Sequence, residues 1–141
     1  MKAGSLIAFV LGGALAATLV NLNVLAQQTP ALGAPPYKVT PLLKGPVTGD
    51  PNKETVMIRV DWPPNVSTGR HTHPGDEYGT VLEGTLISQD EGGEWKTYNA
   101  GDSYHKVTGV VHETKSGDQP AKSLNVFVVE KGKPMVQPAS K

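Results

Sequence analysis

His71-Thr72-His73-Pro74-Gly75-Asp76-Glu77-Tyr78-Gly79-Thr80-Val81-Leu82-Glu83-Gly84 places two imidazoles one residue apart, then a carboxylate, then an apolar-rich run ending on glycine. On a strand, residues i and i+2 point to the same face. His71 and His73 therefore project together, with backbones about 7 Å apart. Two rings leaning inward from that separation can share one ion at about 2.1 Å per bond. Pro74-Gly75-Asp76 reads as a turn that folds the chain back, so Glu77 opens a neighbouring strand and can add an oxygen. A third imidazole, His112 in Gly109-Val110-Val111-His112, must come from another strand of the same wall.

Three imidazoles and a carboxylate buried without partners would each cost several kcal/mol. One divalent cation relieves all four. The expected ligands of one divalent transition metal ion per chain are thus His71, His73, Glu77 and His112. With no cysteine in the chain, thiolate ligation and cysteine nucleophiles are excluded. The same His/Glu set suits Fe, Mn, Ni, Cu or Zn. It leaves octahedral positions open for water, oxygen or a substrate oxygen.

Outward from this stretch, the chain reads as strands and turns. Residues 54–62 alternate, with Val56, Ile58, Val60 and Trp62 on one face and Thr55, Met57, Arg59 and Asp61 on the other. Pro63-Pro64 stops that strand. A shorter strand is expected at 37–43, and a loop at 44–53, where Gly45, Pro46, Gly49, Asp50 and Pro51 cluster. Further strands are expected over 78–88, 94–98, 103–107, 110–115 and 122–130. Gly84 is read as a bulge or close approach, and turns fall at Asp90-Glu91-Gly92-Gly93, at 99–102 and at 116–120. In the last strand Leu124, Val126 and Val128 share a face. No segment of 27–141 keeps a helical apolar period, so the domain is all-β, a sandwich or a barrel.

The whole chain has 141 residues and zero formal net charge. That is one domain's worth, without the basic surface that nucleic acid requires. Lys2, an apolar run over 6–20 and Val24-Leu25-Ala26 follow the order of a secretory signal. The expected layout is a signal peptide at 1–26, a linker at 27–36, a barrel over 37–130 and a surface tail at 131–141. Cleavage would leave no membrane span and a periplasmic or secreted domain of net charge −1, since Lys2 is the only charged residue removed.

The two histidine-bearing segments resemble the cupin motifs. His71-Thr-His73, three residues, Glu77, six residues and Gly84 match the first; Gly101-Asp102 through His112 match the second. The resemblance implies a jelly-roll barrel whose metal is held by those four side chains. The family's glycine six residues before the first histidine is Asn65 here, its second-motif proline is Val107, and its later asparagine is Ser116. By resemblance the activity would be oxygenation of a small oxygen-bearing molecule, of the dioxygenase type, such as ring or diketone cleavage. Isomerase, lyase and decarboxylase chemistry are alternatives, and Glu77 is the candidate catalytic residue, shuttling a proton when it leaves the metal. The rival reading is a binding module that captures a small molecule or merely staples its barrel with metal. A homodimer is also expected by resemblance.

Of the remaining polar residues, His105 is expected on the solvent side and Glu83 in an exposed turn. Tyr78, Tyr98 and Tyr104 are expected to pack with wet tips. Arg70 is a better anion-binding candidate than Arg59, although adjacent strand residues face opposite ways.

Overall fold

A computed structural model of the protein describes residues 35–139. The expected signal peptide at 1–26, and most of the linker at 27–36, lie outside the described residues. Ten strands follow in order: β1 Lys38–Val47, β2 Asp50–Trp62, β3 His71–Thr72, β4 Gly75–Glu83, β5 Thr85–Asp90, β6 Lys96–Asn99, β7 Ser103–Lys106, β8 His112–Ser116, β9 Ala121–Glu130 and β10 Gln137–Pro138. Among the described residues there is no helix, and so none long and apolar enough to cross a membrane. Two antiparallel five-stranded sheets form, in the orders β1-β2-β9-β4-β7 and β10-β3-β8-β5-β6.

Alternation explains which faces turn inward. On β2, Ile58, Val60 and Trp62 are buried, as their period-two spacing predicts. They meet Val81, Leu86, Tyr104, Ala121, Phe127 and Val129 in one core. Burying a side chain of this size contributes about 1.5–3 kcal/mol. On β9 Leu124, Val126 and Val128 share a face as expected, and it is the outer, half-buried one, while Ala121, Ser123, Asn125, Phe127 and Val129 are buried. The apolar stripe faces outward because the inward positions carry a polar network that supports the site.

Three corrections concern segments that steer the chain. Residues 44–53 are not a loop, since β1 runs to Val47 and β2 begins at Asp50, joined at Gly49 with φ +85°. Pro41 and Pro46 are accommodated because β1 is an edge strand and its register slips beside each of them. Pro74-Gly75-Asp76 is not a turn, because β4 has already begun at Gly75. The chain crosses from one sheet to the other at Pro74. Gly75 is needed there because a Cβ would overlap the Val128 carbonyl of β9. The expected tail contributes a strand: Gln137 pairs with Thr72 and Pro138 with His71.

Other turns stand where the sequence puts them. Gly84 has φ +72° and lies tight against the backbone of Pro120 and Ala121. Asn65 adopts φ +57°, a left-handed conformation that glycine favours and asparagine tolerates. Ser116 Oγ donates to the Pro63 carbonyl and accepts from the Val66 amide, pinning the same loop.

Candidate metal centre

Each expected ligand arrives from a separate constraint. His71 opens β3 and pairs directly with His112, the first residue of β8. His73 follows β3 by one residue. Glu77 is the third residue of β4, in the opposite sheet, where it pairs with Phe127 and Lys106. The site therefore straddles the two sheets. All four side chains are buried. The ligating nitrogens of His71, His73 and His112 lie within 4.8 Å of one another. Glu77 Oε2 lies 3.1 Å from His73 Nε2 and 3.5 Å from His112 Nε2.

The tautomers follow from what each Nδ1 touches. His71 Nδ1 lies 3.0 Å from the Gly69 carbonyl, His73 Nδ1 2.6 Å from the Met135 carbonyl, and His112 Nδ1 3.0 Å from the Val110 carbonyl. A carbonyl only accepts, so each Nδ1 carries the hydrogen and donates it. Each neutral ring then turns an Nε2 lone pair inward, as a metal-binding histidine does. The inward atoms of His73 and His112 are buried and make no hydrogen bond. With neutral rings, acceptor nitrogens would face an acceptor oxygen across 3.1 and 3.5 Å, so a proton or a metal cation must sit between them. A cation is the group that relieves this arrangement, so the residues fit a divalent metal.

The electrostatics agree. Burial lowers the His71 pKa to about 4, and the neighbouring His112 and His73 add to the effect. The ring stays neutral and able to ligate at neutral pH. Burial opposes ionisation of Glu77, but a hydrogen on the inward nitrogen of His112 or His73, which the metal-free site needs, holds the carboxyl far below its usual range. The carboxylate is therefore available as an oxygen ligand.

Around the four lies a network that sequence reading did not find. Trp62 Nε1 donates to Ser123 Oγ at 3.0 Å, and Ser123 Oγ donates to Asn125 Oδ1 at 2.7 Å. Asn125 Nδ2 donates to Glu77 Oε1 at 2.6 Å and to the Tyr104 hydroxyl at 2.7 Å. One carboxylate oxygen is thereby pinned while the other faces the histidines. The one available signal was the placement of Ser123 and Asn125 at the same alternate positions as Phe127 and Val129. Met135, whose carbonyl orients His73, gave no signal, because a backbone oxygen has no side-chain signature.

Tyr104 also departs from expectation, with a tip that is buried rather than wet. His105 lies on the outer face, stacked on Tyr78 with ring centroids 4.6 Å apart and its Nε2 3.2 Å from Asp76. Glu83 is exposed and pairs with Lys122 at 2.8 Å. Arg70 pairs with Glu91, and Arg59 with Asp61 at 3.3 Å. Neither arginine lines the cavity at the histidines.

That cavity has a volume of about 70 Å³ and is bounded by Tyr37, Tyr104, Asn125, Phe127, His71, His73 and Glu77. On the scale of about 10–15 Å³ per water it holds some five small atoms.

The family model described as "Cupin domain" matches residues 58–127, the span holding all four candidate ligands. A 65-residue stretch is 40% identical to the HTH-type transcriptional regulator PuuR of Escherichia coli, covering 45% of this chain and 35% of the regulator. The chain thus spans about a third of the length of the curated relatives it matches. A double-stranded β-helix protein from Klebsiella pneumoniae superposes with a TM-score of 0.59 at 21% identity, over 78% of this chain and 90% of that one. The DMSP lyase DddQ from Ruegeria pomeroyi superposes at 0.61 with 20% identity, over 74% of this chain and 54% of the lyase. At such identities the structural likeness speaks for the fold.

Proposed function

This chain belongs to the cupin superfamily, and from that premise we propose that it binds one divalent transition metal through His71, His73, Glu77 and His112 and uses it on a small oxygen-bearing organic molecule. The observation that carries the reading is the set of three Nδ1 atoms tied to backbone carbonyls, which turns the Nε2 atoms of His73 and His112 toward the Glu77 carboxylate and gathers the three histidine ligand atoms within 4.8 Å of one another. A metal held there supplies Lewis acidity and, if redox-active, one-electron chemistry of the dioxygenase type.

The chain's own residues define the rest. The cavity admits only a few heavy atoms beside the histidines. Phe127 walls it with an apolar ring. Glu77 Oε2 can take or return a proton there while Asn125 holds Oε1 in place.

A binding module without turnover is the second reading. The 40% identity to a segment of a transcriptional regulator supports it. Oxygen uptake or product formation on phenolic and diketone substrates would decide for catalysis; saturable binding without product would decide for the module.

Export belongs to the same proposal, supported by Lys2, the apolar run over 6–20 and Val24-Leu25-Ala26. So does a homodimer, supported by exposed Leu42 and Leu43 on edge strand β1.

Elemental mass spectrometry on the purified protein and on His73→Ala tests the metal reading. About one metal per chain is expected in the wild type, with a loss of at least tenfold in the variant. A wild type that takes up no Fe, Mn, Ni, Cu or Zn on reconstitution would overturn it.

A further inference from the structure

The hydrogen-bond chain beside Glu77 runs in one direction, and its end has a use. An indole N–H only donates, so Ser123 Oγ accepts from Trp62. The ionised Glu77 only accepts, so the Asn125 atom 2.6 Å from Oε1 is the amide nitrogen. That orientation sends Asn125 Oδ1 to the Ser123 hydroxyl. It leaves the second amide hydrogen for the Tyr104 oxygen. Tyr104 is therefore an acceptor toward Asn125, and its own hydrogen points elsewhere. Among the described residues the Tyr104 hydroxyl makes no bond as a donor.

The ring is also held in place. Tyr104 on β7 pairs with Gly79 on β4, two residues beyond Glu77. A Cβ at Gly79 would overlap the phenol carbon and oxygen. The glycine lets the ring lie across β4 with its hydroxyl beside Glu77 and at the wall of the cavity.

We propose that Tyr104 is a ligand-contacting residue, donating a hydrogen bond to an oxygen of a small carboxylate or other oxyanion seated in the cavity. This rests on the metal reading for the ligand's other attachment. The fixed polarity of the Trp62–Ser123–Asn125 chain makes the phenol a donor rather than a base. The ligand class follows: an acceptor oxygen at the Tyr104 end, only a few heavy atoms, and a negative charge that the metal rather than the apolar walls would balance.

Acetate is the probe. In zinc-loaded full-length protein carrying carbon-13 at tyrosine Cζ, the resonance missing in Tyr104→Phe should move saturably with acetate. Calorimetry should show acetate binding about tenfold weaker in Tyr104→Phe, with zinc content unchanged. A Tyr104 resonance indifferent to acetate, or equal affinity in the variant, overturns the assignment. So does an equal loss of affinity for imidazole, which binds metal but offers no acceptor oxygen. Zinc content separates the two readings: no zinc in the wild type is a failure of the metal centre. The same titration on metal-free protein then still reads Tyr104, movement supporting its role and immobility refuting it.

Discussion

Ser123 has a small side chain, and two buried groups depend on it. Its hydroxyl joins the Trp62 indole to the Asn125 amide, and it is fully buried. Ser123→Ala leaves an indole N–H and an amide oxygen without partners in a dry interior. An unsatisfied buried polar group costs about 1–3 kcal/mol. Urea unfolding of the metal-free variant should therefore show a loss of about 2–3 kcal/mol. An unchanged midpoint would mean that the chain of bonds contributes nothing to folding. At this scale the four candidate ligands were legible in the sequence, because histidine and glutamate announce their chemistry by type and spacing. Ser123, Asn125 and the Met135 carbonyl were not, since only a partner brought from elsewhere in the chain gives them a role.

Among the elements, the segment between β7 and β8 decides where His112 points. Its anchor is Asp76, which alternates outward on β4 beside inward-facing Glu77. Asp76 Oδ1 accepts from the Thr108 amide at 2.9 Å and from the Thr108 hydroxyl, while the Gly109 amide donates to the His73 carbonyl at 3.1 Å. The Thr108 bonds, joined by His105, lower the Asp76 pKa to about 2 from 3.8. A carboxyl depressed in the fold contributes stability above its unfolded pKa and loses it as pH falls through the folded value. The Asp76 side chain is a third exposed, so its contribution is discounted to about 1 kcal/mol. Wild type should exceed Asp76→Asn by that amount at pH 5–7 in urea unfolding, the gap closing as pH falls from about 4 to about 2. A gap that persists at pH 2 would assign the difference to something other than the Asp76 charge. The strands themselves were largely readable, because period-two alternation and glycine turns are local signals. The 44–53 hairpin was misread because its prolines, damaging in a central strand, are harmless on an edge.

For the whole molecule, the candidate metal centre joins the two sheets: His71 and His112 come from one and Glu77 from the other. A bound metal should thus act as a cross-sheet brace, and its removal should lower global stability. At a free metal concentration of about 100 times Kd the brace is worth about 2.7 kcal/mol. For a domain of this size that corresponds to a fall in Tm of roughly 10 °C when a chelator is added. Calorimetry with and without chelator checks this, and His73→Ala should be insensitive to the chelator. Equal Tm values for the loaded and stripped wild type would mean that the sheets are held by the core alone.

The sequence by itself determined an all-β domain, the candidate ligand set and the cupin motifs, because each rests on residue type and short spacing. It left open which face of β9 turns inward, since both faces offer plausible patterns and only packing against β2 and β4 chooses. Tertiary structure alone decided that residues 135–138 belong to the site, and that Glu77 is held by Asn125, 48 positions away. It also decided that a tyrosine sits beside them with its hydrogen unspent. Those features are pairings between distant segments, and a strand's own alternation carries no record of its partner.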